Sequence, residues 1–235
     1  MRYGFSTGAL ARGDFSEALR MMEGLELQTV EVSALRLGEF DSVLEAVRRG
    51  DFARFETLSL HAPSKFDAAE ERWIATALES VGDMIEGAVV HAEAILDTNV
   101  WSNLGSKVFI ENADSRKATG KTLDEIEPLF EALPEARLCF DIAHIEQLDP
   151  TLAEARRMLG ALGEKIGQMH ISELDAACRH RAMSPRVISA YQTIADLLPP
   201  TEVIIESCVG RGALKEELER AILALNPQEL IDAAE

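Results

Sequence analysis

Histidine and carboxylate side chains recur in this sequence at one kind of position, directly after short apolar runs. Leu-His-Ala-Pro places His61 there, Val-Val-His-Ala places His91, and Phe-Ile-Glu-Asn places Glu111. Imidazole nitrogens and carboxylate oxygens are the ligands that zinc and manganese take from proteins. Such groups are costly to bury unless a partner compensates them. These residues therefore predict a divalent metal site.

The second half of the chain continues the pattern. Leu-Cys-Phe-Asp-Ile-Ala-His supplies Asp141 and His144, Met-His-Ile-Ser supplies His170 with His180 in the loop beyond, and Ile-Ile-Glu-Ser supplies Glu206. Each residue alone has an ordinary explanation, such as a core histidine bonded to backbone or an acid that caps a helix. All five histidines follow this pattern, however, and none is expected on a helix. The combination predicts one shared site.

Alternating elements must position these side chains. Short apolar runs predict strands at residues 2–6, 29–32, 57–61, 88–91, 107–111, 138–141, 166–170 and 202–206. Helical patterns separate them: Asp67-Ala-Ala-Glu70 begins one helix, Thr122-Leu-Asp-Glu125 predicts a capping box, and the last helix begins at about residue 213. The connection 94–106 is too short for a long helix. Eight strands alternating with helices predict a (β/α)₈ TIM barrel.

One TIM-barrel domain is expected over residues 1–235, because no linker, low-complexity segment or repeat divides the chain. A doubly wound open sheet is the alternative, but no Gly-x-Gly-x-x-Gly follows the first strand. In a TIM barrel the chemistry lies at the C-terminal ends of the strands. The candidate ligands follow six consecutive strands, so the fold predicts that they meet at one rim.

The overall composition narrows the class of protein. The chain carries 41 acidic and 23 basic residues, a formal net charge of −18 that repels nucleic acid and anionic lipid. No apolar stretch approaches the roughly 18 residues of a membrane span, and the N-terminus lacks a secretory apolar core. Three cysteines without disulfide-framework spacing are typical of a reducing compartment. We expect a cytoplasmic protein with a small-molecule substrate, rather than a DNA-binding or membrane protein; the oligomeric state is left open.

These motifs resemble those of the xylose isomerase-like TIM-barrel superfamily, also known as AP endonuclease family 2, which includes sugar phosphate isomerases and epimerases and endonuclease IV. The resemblance rests on His-Ala-Pro, the strand-ending His91, Glu-Asn, Asp-x-x-His, His-x-Ser and Ile-Glu, and it covers all eight strands. The isomerase and epimerase branch implies two catalytic glutamates, Glu111 and Glu206, and a substrate contact at His144. The metal ligands that this branch implies are Glu111, Asp141, His170 and Glu206.

The endonuclease IV branch implies a larger ligand set for three zinc ions. The residues that match it are His61, His91, Glu111, Asp141, His144, His170, His180 and Glu206. This chain departs from that branch where Cys178-Arg179-His180 replaces Asp-Arg-His, where Arg-Ala-Met-Ser-Pro replaces a glycine-bearing turn, and at Ala92, where proline is common. Cys178 is either a substitute zinc ligand or an ordinary loop cysteine. The resemblance thus implies one to three metal ions per chain.

Two activities are compatible with this site. An isomerase or epimerase would act on a small sugar, sugar phosphate or sugar acid through a metal-bound enediolate. A multi-zinc hydrolase would cleave a phosphoester, a small one rather than DNA, because duplex binding needs many basic contacts. A third alternative, binding without catalysis, predicts a lost ligand, and the implied four-ligand set is complete. We predict the isomerase.

Rim-loop cations could bind a substrate phosphate or carboxylate, or could be solvated surface charges: Lys65, Arg179, Arg181 and Arg211.

Overall fold

In the computed structural model, which describes residues 1–226, eight parallel strands close into a barrel. The barrel strands are β1 (Arg2–Ser6), β2 (Thr29–Ser33), β3 (Thr57–His61), β4 (Gly87–His91), β5 (Val108–Glu111), β6 (Arg137–Asp141), β7 (Ile166–Ile171) and β10 (Glu202–Ile205). Closure occurs where β1 pairs with β10. A short hairpin of β8 (Glu173–Leu174) and β9 (His180–Arg181) lies in the loop after β7.

Helices connect the strands. They are α1 (Thr7–Ala11), α2 (Phe15–Met21), α3 (Leu37–Arg49), α4 (Ala68–Glu79), α5 (Thr98–Trp101), α6 (Leu123–Ala132), α7 (Ile142–Leu148), α8 (Ala153–Leu162), α9 (Pro185–Gln192) and α10 (Leu214–Leu225). The predicted (β/α)₈ fold is therefore confirmed. As expected, the connection between β4 and β5 holds only the one-turn helix α5 and short 3₁₀ turns.

The predicted helix starts have different outcomes. Asp67 caps α4 by accepting the backbone N–H groups of Ala69 and Glu70, at 2.8 and 2.9 Å. The capping box predicted at Thr122 is wrong, because the Thr122 hydroxyl makes no capping hydrogen bond. The first N–H of α6, from Leu123, donates instead to the Glu154 carboxylate of α8 at 2.7 Å. A distant carboxylate has replaced the local cap.

The barrel interior is built in layers. Side chains alternate between the two faces of a strand, so Phe109 points to the same face as Glu111, one layer below it. Phe109 forms a small buried cluster with Val89 and Cys139. Its ring fills the space where a Cβ at Gly87 would lie, at 2.4 Å. An apolar floor thus supports the ionisable side chains above it.

No helix within residues 1–226 is long and apolar enough to cross a lipid bilayer. The prediction that residues 1–235 form one domain stays a prediction, since its last nine positions lie outside the described residues. The predicted cytoplasmic location also stays a prediction.

Candidate metal centre

The ends of the strands bring two groups of potential metal ligands together. In each group, one ligand atom from every member lies within 4.8 Å of the others. Glu111 belongs to both groups, so the two candidate sites share a carboxylate. The three-residue group is His61, His91 and Glu111; the four-residue group is Glu111, Asp141, His170 and Glu206.

Strand register sets the spacing of these ligands. His91 pairs with Glu111 across β4 and β5, and Asp141 pairs with His170 across β6 and β7. Paired residues on adjacent parallel strands project their side chains to the same face of the sheet. Glu206 follows β10 directly. The hydrogen-bonded barrel therefore positions most ligands without help from the loops.

Glu111 lies at the centre of the arrangement. Its Oε2 is 3.1 Å from His61 Nε2 and 3.2 Å from His91 Nε2, while its Oε1 is 3.2 Å from His170 Nδ1. Burial raises the pKa of the Glu111 carboxyl, but the charges of His91 and His170 outweigh burial and hold that pKa well below its usual value. The side chain is therefore an anion that can bridge two cations.

The two nitrogens of His170 have different partners. Nδ1 faces the four-residue group and lies 3.5 Å from Glu206 Oε2. Nε2 lies 2.9 Å from Oε2 of Glu31, which also accepts a 2.7 Å hydrogen bond from Gln168. With its Nε2 proton held by Glu31, the ring would leave Nδ1 free for a metal ion.

Sequence analysis missed Glu31. It lies in β2 and is fully buried inside the barrel. The signal that could have identified it is an acidic residue in the middle of Thr-Val-Glu-Val-Ser, an otherwise strand-like segment. A buried carboxylate needs a partner, and here the partner is His170.

The four-residue group fits a divalent cation. Asp141 Oδ1 accepts the His144 N–H at 2.8 Å, but its Oδ2 is buried without a hydrogen-bond partner among the described residues. Burial raises the pKa of Asp141, and burial together with neighbouring carboxylates raises the pKa of Glu206 to about 7. Three closely spaced carboxylates, two of them buried, therefore repel one another around one imidazole, and a cation bound among them would relieve that cost.

Two predicted ligands, His144 and His180, lie outside both groups. The expectation that no histidine is helical is wrong, because α7 begins directly after β6 and includes His144 in its first turn. His144 Nδ1 donates to the Asn112 carbonyl at 2.8 Å. His180 Nδ1 lies 2.8 Å from Ser172 Oγ, and burial together with the charge of His144 lowers the pKa of His180 to about 3. Both rings line the central cavity.

The four predicted rim cations do not line that cavity. Arg179 pairs with Asp175 at 2.7 Å, Arg181 pairs with Glu173 at 2.6 Å, and Arg211 lies 3.8 Å from Glu23. Lys65 is exposed in the loop after β3. Their role in substrate binding stays a prediction.

Cys178 belongs to neither ligand group. Its Sγ lies 3.2 Å from Gln147 Oε1 and 3.4 Å from Ser115 Oγ. These contacts are those of a buried loop cysteine with polar neighbours. A substitute-ligand role for Cys178 therefore has no geometric support.

The cavity above the ligands has a volume of about 240 Å³. It is smaller than the roughly 300–1,000 Å³ typical of sites for drug-sized ligands. The ionisable groups and Arg116 share this lining with hydroxyls and small apolar groups at the ends of β1 and β2 and in the loops after β2 and β3. These include Ser6, Ser33, Ala34, Ala62 and Ser64. Such a cavity suits a small polar molecule.

No family model and no curated protein matches the sequence. Solved structures match over nearly the whole chain. A 3-keto-D-glucoside 4-epimerase from E. coli aligns with a TM-score of 0.54 at 14% identity, covering 95% of this chain and 98% of that one. A putative sugar phosphate isomerase/epimerase from Anabaena variabilis gives 0.56 at 12%, covering 93% and 87%.

A third match is a xylose isomerase-like TIM barrel protein from Mycobacterium smegmatis in complex with magnesium. Its TM-score is 0.50 at 10% identity, covering 97% of this chain and 84% of that one. At such identities the likeness concerns the fold. In fold, the chain resembles the xylose isomerase-like TIM barrels, as its motifs predict.

Proposed function

We propose that this protein is a divalent-metal-dependent enzyme that isomerises or epimerises a small sugar derivative. The observation that carries the proposal is the four-residue group, in which His170 Nδ1 lies 3.2 Å from Glu111 and 3.5 Å from Glu206. Both glutamates line the cavity. Solved structures described as sugar isomerases or epimerases share the fold that positions these residues, which supports the proposal.

The residues that would hold the ion are Glu111, Asp141, His170 and Glu206. When bound, a divalent ion supplies Lewis acidity that polarises a substrate carbonyl and makes the adjacent C–H more acidic. Glu111 and Glu206 come from strands separated by β6 and β7, so they approach a bound sugar from different sides.

Proton transfer then falls to the chain's own carboxylates. One glutamate removes the proton from the carbon beside the carbonyl; the electron pair of that C–H bond forms a C=C bond, and the carbonyl π pair moves onto its oxygen to give an enediolate. Return of the proton to the former carbonyl carbon, with the proton of the adjacent hydroxyl passing to the former carbonyl oxygen, isomerises the sugar; return to the opposite face of the original carbon epimerises it. His144, fixed through Nδ1 to Asn112, lies in the cavity and would hold a substrate hydroxyl.

Two measurements test this proposal. Elemental analysis of protein purified without chelator should find about one divalent ion per chain, as expected for a single Lewis-acid site. Glu206→Gln should abolish exchange of substrate C–H protons with D₂O, followed by NMR over a panel of sugars. Asp175→Asn, a rim-loop change outside both groups, should keep that exchange. Absence of metal after incubation with zinc, manganese and magnesium, or full exchange in Glu206→Gln, would exclude the proposal.

A second candidate, a multi-metal phosphoester hydrolase, is favoured by the three-residue group. His61 and His91 both direct Nε2 at Glu111 Oε2, and their ring centres lie 5.1 Å apart. Two-metal hydrolases use shared ligands to hold ions close together.

Substitution of His61 distinguishes the two activities. The isomerase should keep partial proton exchange in His61→Ala, because its four ligands are intact. The hydrolase should lose a bound metal and all turnover of p-nitrophenyl phosphate and abasic DNA in both His61→Ala and His91→Ala. If both variants lost a bound metal and all turnover, the hydrolase would replace the isomerase as the proposed activity.

A further inference from the structure

We propose that the substrate is an uncharged sugar or polyol, bearing neither a phosphate nor a carboxylate group. This inference rests on the proposed isomerase or epimerase function and narrows its substrate class. It follows from the charges in and beneath the cavity and from the hydroxyl groups of its lining.

Carboxylates dominate the site. Five of them lie in or directly below the cavity, whereas Arg116 is the one arginine or lysine among the described residues that line it. These carboxylates outnumber the two charges of a bound divalent cation and the single charge of Arg116, so a substrate phosphate or carboxylate would meet repulsion from them in a poorly solvated space. The carboxylates are Glu31, Glu111, Asp114, Asp141 and Glu206.

Arg116 is already engaged. Its backbone N–H and Nε donate to Asp114 Oδ1 at 2.8 and 2.9 Å, and its Nη2 donates to Oδ2 at 2.7 Å. Asp114 is 2% exposed, so the carboxylate that occupies the guanidinium is fixed in the protein. The two-pronged geometry that binds phosphate or carboxylate groups is therefore satisfied internally.

Other cations near the rim are used in the same way. Lys117 pairs with Glu93, and Arg186 pairs with the buried Glu146 at 2.6 Å. Arg181 pairs with the buried Glu173, also at 2.6 Å. These side chains neutralise carboxylates of the protein instead of presenting charge to the cavity.

The hydroxyl and small apolar groups of the cavity lining suit a neutral polyol. Ser6 Oγ and Ser33 Oγ lie 2.9 Å apart, and both line the cavity with Ser64. A serine hydroxyl both donates and accepts hydrogen bonds, as a sugar hydroxyl does, and it brings no positive charge to neutralise a phosphate or carboxylate group. Ala34 and Ala62 give the C–H face of a sugar an apolar surface.

Calorimetric titration of the manganese-loaded protein with D-fructose and D-fructose 6-phosphate tests the charge argument directly. We expect the phosphate to bind no more tightly than the sugar. Asp114→Asn removes one carboxylate charge and releases Arg116, so it should bind D-fructose 6-phosphate at least about tenfold more tightly, with little change for D-fructose. The matched control is Asp175→Asn, which releases Arg179 outside the cavity and should leave both affinities unchanged. The proposal would be overturned if the wild type bound D-fructose 6-phosphate tenfold or more tightly than D-fructose. It would also be overturned if Asp114→Asn bound D-fructose 6-phosphate with unchanged affinity.

Proton exchange separates this inference from the proposed function. Exchange with neutral aldoses or ketoses, and not with their phosphates or acids, supports both. Exchange only with phosphorylated or acidic sugars overturns the neutral-substrate inference and keeps the isomerase. If no sugar of any charge exchanges in the metal-loaded protein, the isomerase fails, while the fructose titrations still decide the charge preference of the cavity.

Discussion

A carboxylate that accepts a hydrogen bond from a metal-binding histidine changes how strongly that histidine binds the ion. Glu31 accepts from the Nε2 side of His170 at 2.9 Å, and no water is needed to complete this contact inside the barrel. Such a partner fixes the tautomer and orientation of the ring and makes its other nitrogen a stronger donor to a cation. At the scale of single residues, Glu31 is thus the positioning residue for the four-residue group.

Glu31→Gln should weaken binding of Mn²⁺ or Zn²⁺ by about 10- to 100-fold, because a neutral amide supports the histidine less well. Competition with a chelating indicator measures this affinity without any substrate. The matched control is Glu71→Gln, which alters another fully buried carboxylate, one that accepts from Leu96 N and Trp101 Nε1 at 2.7 and 2.8 Å. The control should lower stability and keep the metal affinity. Equal affinities of Glu31→Gln and wild type would contradict the role of Glu31.

At the scale of elements, the bounds of the strands could be predicted closely from the sequence. The side-chain contacts between elements could not. Runs such as Thr-Leu-Ser-Leu-His identify β3 by residue type alone, and the ligand at its end follows from the TIM-barrel rule. Tertiary contacts decided the rest. The N–H of Leu123 is capped by Glu154 of α8 instead of by Thr122. Glu31 became part of the site only because barrel closure brings β2 close enough to β7 for its side chain to contact Gln168.

The apolar floor of the barrel gives a prediction about two neighbouring strands. A methyl group at Gly87 would lie 2.4 Å from the Phe109 ring, so Gly87→Ala should destabilise the protein by about 1–3 kcal/mol through overpacking. In a Phe109→Leu background the same change should cost much less, because the smaller side chain leaves room. Urea unfolding of the wild type, the two single variants and the double variant measures this coupling. Equal costs in the two backgrounds would show that the ring does not limit position 87.

At the scale of the whole molecule, a cation at this site should stabilise the fold. It would bind the native state, where the acids converge, and would bind the unfolded chain far less. At a free ion concentration of about 100 times the Kd, the gain is about 2.7 kcal/mol. For a chain of this size that corresponds to a rise of about 5–10 °C in Tm.

Thermal unfolding followed by circular dichroism, with and without Mn²⁺ or Zn²⁺, checks this prediction. Glu111→Gln should lose most of the rise, because Glu111 belongs to both ligand groups. Asp175→Asn should keep the full rise. A Tm in wild type that does not respond to either ion would argue against a metal site in the folded protein.

The closure of the barrel has a consequence for synthesis on the ribosome. Arg2 of β1 and Glu202 of β10 are ion-paired although they lie 200 residues apart in sequence. Glu206 is the residue directly after β10. A growing chain has already exposed Glu111, Asp141 and His170 when it still lacks both the strand that closes the barrel and the fourth ligand. Completing the ligand group and sealing the sheet edge are therefore one late event. A tightly bound metal ion would therefore be found only in molecules that have finished folding. Such molecules no longer expose the apolar surface and unpaired strand edges of a partly folded chain.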